Sequence, residues 1–279
     1  MSSKTALVLC GGGNRGALEV GLYQALVELS IKIDLIIGTS IGAINGAFIA
    51  AGVPPDQLAD LWTNLKQRDL YGYNWQLLWK LFRANSLYDN RRLRHFLKRH
   101  LPVANFRDLK IPLIVTGTHL QTGEPVYFEE GDLIGALIAS AAMPGIFPPV
   151  DQKDGQIIDG GIANNVPLAM AVDRGADTII YILCICCERI PYPVRGLVNM
   201  INYAFSIALD QKYRSDLRHY REKARLIALE PRIGIDIGFL DFKHSNELIA
   251  LGYEHARTEL QKVGFGLGLS PGAMGLQIE

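Results

Sequence analysis

The chain has 279 residues, 49% of them hydrophobic, enough for a large domain with a sizeable core, which excludes fibrous, collagenous and disordered classes. Lys+Arg 28 against Asp+Glu 28 leaves a formal net charge of zero, so no global field draws the protein to nucleic acid. Mean hydropathy is +0.13, yet no apolar run approaches the ~18 to 20 uninterrupted residues that a spanning helix needs.

The N-terminus, Met1-Ser2-Ser3-Lys4, runs into a short apolar segment and then glycines. It has neither the apolar length nor the cleavage site of a signal peptide, so a cytosolic protein is expected. From there, β-branched runs alternate with helical patterns. Strands are predicted at 5–10, 34–37, 113–118, 126–129, 156–158, 178–184 and 226–229, and helices at 17–29, 41–51, 133–142, 168–174, 197–220 and 244–262. This alternation predicts an α/β fold around a mainly parallel sheet buried on both faces. No repeat or low-complexity linker divides the chain, so one domain over 1–279 is expected.

Two stretches break the rhythm. Residues 70–101 join an aromatic section (Tyr71, Tyr73, Trp75, Trp79, Phe82) to a basic one (Arg83, Arg91, Arg92, Arg94, Lys98, Arg99) with Asp89 as its one acid. Such a segment is expected either to cover the core by its aromatic side or to lie on an anionic bilayer. Residues 144–149 set three prolines and a glycine around Ile146-Phe147, a rigid loop able to line a pocket. Of the four cysteines, Cys184, Cys186 and Cys187 crowd one apolar stretch while Cys10 stands far away. Strand alternation puts Cys184 and Cys186 on one face and Cys187 on the other, so buried thiols are expected and no metal is implied.

Three motifs carry chemistry. The first strand runs into Gly11-Gly12-Gly13-Asn14-Arg15-Gly16 and then a helix. A glycine-rich turn there presents unpaired backbone N–H groups at the positive end of the helix dipole, which makes an anion site. Gly11, Gly13 and Gly16 also fit a dinucleotide fingerprint, but that reading needs an acid at the end of the second strand. Asp34 stands at its start instead, which disfavours NAD(P) binding.

The second strand is followed by Gly38-Thr39-Ser40-Ile41-Gly42 and a helix, the strand–turn–helix setting of a nucleophile elbow. A nucleophilic serine needs a base. Of the six histidines, His244 alone falls in a late loop, where it could complete a Ser-His-Asp esterase; its neighbours Ser245 and Asn246 read as helix-capping residues. The alternative is Asp159 in Asp159-Gly160-Gly161, a carboxylate leaving a strand into a diglycine turn, where positive φ would let backbone approach it.

These three motifs, with Ala139-Ser140-Ala141-Ala142-Met143-Pro144 between them, resemble the patatin-like phospholipase family in order and spacing over residues 5–173. The resemblance implies a three-layer α/β/α sandwich, a Ser40–Asp159 dyad and hydrolysis of lipid acyl esters through an acyl-enzyme. It makes loop 11–16 an oxyanion hole, with the N–H groups of Gly12, Gly13 and Asn14 as donors. No cofactor enters, and a lipid-binding protein of the same fold without turnover stays open. Residues 175–265 carry no matching motif and are expected to complete the domain.

Overall fold

The computed structural model describes residues 3–73, 85–184, 193–234, 237 and 241–265. In chain order the elements begin with β1 (Thr5–Leu9), α1 (Ala17–Glu28), β2 (Leu35–Thr39), α2 (Ile41–Ala50), α3 (Pro55–Asn64) and α4 (Gln67–Leu70). A small ribbon of β3 (Gly72–Tyr73) and β4 (Tyr88–Asp89) then leads to α5 (Arg91–His100). Next come β5 (Leu113–His119), β6 (Pro125–Phe128), α6 (Leu133–Ser140), β7 (Val150–Gln152) and β8 (Gly155–Asp159). The remainder is α7 (Gly161–Asn164), α8 (Leu168–Asp173), β9 (Thr178–Ile182), α9 (Leu197–Tyr220), β10 (Arg225–Leu229) and α10 (Ser245–Lys262).

One eight-stranded sheet forms the middle layer of an α/β/α sandwich. Helices α1, α2, α3, α6 and α10 share one face, and α7, α8 and α9 the other. β1 and β9 alternate in step: Leu9 reaches toward α2 at Gly46, while Tyr181, paired with Val8, bonds Tyr213 of α9. Because both faces are covered, β1, β2 and β9 read as continuous apolar runs.

The sheet is mainly parallel, as expected, and carries an antiparallel edge. Strands β10, β9, β1, β2 and β5 run parallel, whereas β6 and β8 pair antiparallel with β5 and β7 with β8. The connections dictate this, since the short turns between β5 and β6 and between β7 and β8 leave no room for a parallel crossover. The mixture has a geometric result. β2 and β6 both pair with Val115 and Thr116, so they occupy opposite edges of β5. β8 pairs with Gly117–His119 on the edge that β6 leaves open, which is the edge of β2. The C-terminal ends of β2 and β8 therefore meet head-on, with Thr39 opposite Thr116 and Asp159 opposite Gly117.

Of the basic aromatic stretch, Trp75, Trp79, Phe82 and Arg83 lie outside the described residues, as do Cys186 and Cys187. α5 buries Leu93 and Leu97 and exposes most of its cations. No helix among the described residues is long and apolar enough to cross a membrane.

α1 and α10 cross at glycines. A Cβ on Gly21 would stand 2.1 Å from the Ile249 carbonyl oxygen, and one on Gly252 would stand 2.2 Å from that of Leu18. Alanine favours a helix by about 1 kcal/mol over glycine, so Gly252→Ala would stabilise an isolated α10. In this protein the clash with backbone outweighs that gain. Urea unfolding should show Gly252→Ala destabilised by about 1–3 kcal/mol.

Candidate active site

Ser40 is the residue at which β2 becomes α2, with φ +54° and ψ −121°. A non-glycine residue there costs about 1–3 kcal/mol and persists only where its surroundings hold it. The Ser40 N–H donates to Ser140 Oγ at 2.8 Å, and that hydroxyl donates to the Thr116 carbonyl at 2.6 Å. The Ser40 carbonyl accepts from the N–H groups of Ala43 and Ile44. Glycines are needed on both sides: a Cβ at Gly38 would lie 2.4 Å from Ala43 Cα, and one at Gly42 would lie 2.4 Å from the Leu9 carbonyl oxygen. Its Oγ does not cap α2. It donates to Asp159 Oδ2 at 2.6 Å.

Asp159 ends β8 and is buried. Its backbone N–H donates to the Ala142 carbonyl, its own carbonyl accepts from Thr118 Oγ1, and its Oδ1 accepts from the Gly161 N–H at 2.8 Å. Gly160 follows with φ −62°, so positive φ is not what the diglycine supplies. Close approach is: a Cβ on Gly160 would sit 2.2 Å from the Thr116 carbonyl oxygen. Burial lifts the Asp159 carboxyl from the usual carboxylate range to about 6, against the hydrogen bonds from Ser40 and Gly161 that favour its charged form. His244, the other candidate base, pairs with Glu247 at 3.1 Å at the start of α10, while the Ser40 hydroxyl is given to Asp159.

The glycine loop lies against this pair. A Cβ on Gly11 would come 3.1 Å from Ser40 Cβ and 2.7 Å from Asn165 Oδ1. Asn165 clasps Gly11 from both sides, its Oδ1 accepting the Gly11 N–H at 2.9 Å and its Nδ2 donating to the Gly11 carbonyl at 3.3 Å. Gly11 is therefore a fixed support and its N–H is not open to a ligand, contrary to a plain reading of the whole loop as donors. Likewise the Arg15 N–H is given to the Gly12 carbonyl. Gly13, at φ +59°, turns the chain into the cavity wall, and the N–H groups of Gly12 and Gly13 have no acceptor among the described residues. Asn14 is buried and its Nδ2 donates to the Asp241 carbonyl at 2.6 Å. Gly16, at the head of α1, offers its carbonyl to Asn45 Nδ2. Asp34 stands at the far end of β2, bonded to the Thr5 N–H and to Lys32, where it cannot hold a ribose beside the loop.

Sequence reasoning placed Ser140 inside a motif without a role and missed Asn165. Its signal was the helical step of four from Gly161, which returns a buried polar side chain to the same face. Over Ser40 lies a narrow cavity of about 50 Å³ with apolar walls. Ile41 and Ile44 of α2 line it, together with Leu93 of α5, Tyr71 and Phe242. The proline loop contributes Ile146 and Phe147, and the Phe147 and Tyr71 rings stack with centroids 5.3 Å apart.

An uncharacterized NTE family protein of Mycobacterium tuberculosis is 29% identical over 282 residues, covering 91% of this chain and 46% of the relative. Patatin-like phospholipase domain-containing protein 7 of Rattus norvegicus is 32% identical over 182 residues, 63% of this chain and 13% of that protein. The chain thus spans less than half the length of these relatives. Among solved structures, VipD from Legionella pneumophila superposes with a TM-score of 0.52 at 15% identity, over 94% of this chain and 67% of VipD. Full-length ExoU in its complex with SpcU from Pseudomonas aeruginosa gives 0.52 at 18% identity, over 93% and 52%. These two share the fold. The family model for patatin-like phospholipases matches residues 7–172, which carry the glycine loop, the Ser40 elbow and Asp159, and the chain belongs to that family.

Proposed function

We propose that the protein is a lipid acyl hydrolase working through a Ser40–Asp159 dyad. The observation that carries the reading is the 2.6 Å hydrogen bond from Ser40 Oγ to a buried carboxylate, made from a strained elbow at the floor of an apolar cavity. A serine hydroxyl is a weak nucleophile until a base takes its proton. A carboxyl lifted to about 6 is a better base than an ordinary aspartate and is still ionised at neutral pH. Asp159 accepts the proton as Oγ attacks the ester carbonyl, and returns it to the departing alcohol. Water, activated by the same carboxylate, then releases the fatty acid. The N–H groups of Gly12 and Gly13, ahead of α1, suit the developing oxyanion, and one such donor is worth about 3–4 kcal/mol. Apolar walls fit an acyl chain, and the family's lipid esters are the substrates we infer.

For the approach to substrate we propose peripheral docking on anionic membrane through α5. This helix sets Leu93 in the cavity wall while Lys98 and Arg99 stand exposed beyond it, with no acid on the helix to cancel them.

A serine-directed fluorophosphonate should label the protein on Ser40 and fail on Ser40→Ala; equal labelling of both would sink the assignment. Because the base must be ionised, kcat/KM should fall as pH drops through about 6. Turnover surviving in Asp159→Asn but lost in His244→Ala would replace the dyad by a triad.

Stability should move the opposite way. With its folded value raised above 3.8 to about 6, Asp159 costs stability fully above pH 6 and not at all below about pH 4. Asp159→Asn removes that cost, so its melting temperature should exceed wild type at pH 8 by several degrees, and the gap should close toward pH 4. Co-sedimentation with phosphatidylserine vesicles should weaken at least about ten-fold when Arg94, Lys98 and Arg99 become Glu; unchanged binding would dismiss the docking face.

A further inference from the structure

Among the described residues, one other group of ligand-bearing side chains converges, directly behind the glycine loop. Cys10 ends the first strand's run, Glu19 sits in the first turns of α1, and Cys184 follows β9 by two residues. Parallel pairing of β1 with β9, with Leu9 opposite Ile182, brings the two cysteines together from 174 positions apart. All three side chains are buried, and their Sγ and carboxylate oxygen atoms lie within 4.8 Å of one another. The sequence reading compared Cys184 with its neighbours Cys186 and Cys187, expected on strand alternation to take opposite faces, and so had no reason to see a pocket of ligands.

From this convergence we infer that Cys10, Glu19 and Cys184 form a binding site for a soft divalent cation, Zn²⁺ being the ion its donors suit best. Two thiolates and a carboxylate are a zinc donor set, with a fourth position left for a backbone carbonyl or water. Tetrahedral geometry with ordinary Zn–S and Zn–O lengths sets sulfur and oxygen about 3.5 Å apart, and Cys184 Sγ stands 3.6 Å from Glu19 Oε1.

The surroundings have the form of an outer shell. The Cys184 N–H donates to Cys10 Sγ at 3.1 Å, and the Cys10 thiol donates to the Ile182 carbonyl at 3.1 Å. Asn45 Nδ2 donates to Glu19 Oε2 at 2.8 Å, and Asn45 is itself fixed by Trp62 Nε1 and the Gly16 carbonyl.

Such an ion would tie the end of β1, the segment after β9 and α1 into one knot under the loop. Gly12 touches that knot: a Cβ there would stand 2.5 Å from Cys184 Cβ. The site takes no part in the Ser40 chemistry, so its test stands apart from activity.

The whole chain, purified without chelator, should retain close to one equivalent of zinc by mass-spectrometric metal analysis. After removal of zinc, Co²⁺ should give the visible bands of a tetrahedral site and a thiolate charge-transfer band. Zn²⁺ should raise the melting temperature. Cys10→Ser, Cys184→Ser and Glu19→Gln should each weaken binding at least about ten-fold, and the isosteric Glu19→Gln keeps a partner for Asn45 should the cysteine variants fail to fold. Cys186→Ser with Cys187→Ser should leave it unchanged. Zinc below about a tenth of an equivalent with no thermal shift would overturn the inference, and so would binding that follows Cys186 and Cys187 instead.

Discussion

Everything in the site depends on two strands meeting end to end. β2 and β8 share one edge of β5, the first parallel to it and the second antiparallel, and their C-terminal residues stop one pairing position apart. Ser40 follows β2 and Asp159 ends β8, so the hydroxyl and the carboxylate face each other across the gap at 2.6 Å. A βαβ crossover alone could not do this, because parallel neighbours present their C-terminal ends side by side. The antiparallel return through β6, β7 and β8 is what turns a second strand end toward the first.

The gap is narrow, and backbone crowding around it explains the glycines better than conformational freedom does. Gly38, Gly42 and Gly160 would each drive a Cβ within 2.4 Å of a neighbouring atom, and none of the three has positive φ. Gly13 differs, since its φ of +59° turns the loop. Strain is concentrated instead on Ser40, where φ is +54° in a residue that carries a side chain. Ser140 bridges it to the Thr116 carbonyl, and Asn165 holds Gly11 beside it. Both supports are buried, so the hydroxyl is aimed before any substrate arrives.

What the sequence made legible follows from distance along the chain. Local signals were enough for the Ser40 elbow and the glycine loop, because each is a strand, a turn and a helix within a dozen residues. The same holds for most strands and for α9 over 197–220. Contacts that close over long separations were not legible. Asn165 reaches Gly11 across 154 positions and Ser140 reaches Ser40 across 100, and nothing in either local pattern names its partner. The antiparallel edge was hidden for a similar reason: nothing in the residues of β5 or β8 marks their direction, which is a property of their connections. Ser40 and Asp159 were paired through motif company, since Asp-Gly-Gly alone describes many turns.

Two buried carboxyls flank the glycine loop, and comparing them shows how a shared penalty is put to different uses. Asp159 and Glu19 both lose solvation, and no cationic side chain contributes to either. Asp159 is met by O–H and N–H donors from Ser40 and Gly161, which offset part of the burial and hold its carboxyl near 6, inside the range where a proton can be exchanged at neutral pH. Glu19 has the Asn45 amide on one oxygen and a thiol on the other, and Cys10 works against its charge. A base needs a carboxyl that titrates and an acidic partner beside it. Glu19 is instead enclosed with Cys10 and Cys184, where burial favours its neutral form. Alternation along the loop separates the two environments, for Gly11 faces Ser40 and Asn165 whereas Gly12 faces Cys184. One short run of glycine thus lies between the Ser40–Asp159 pair and the Cys10–Glu19–Cys184 cluster, with no side chain of its own in either.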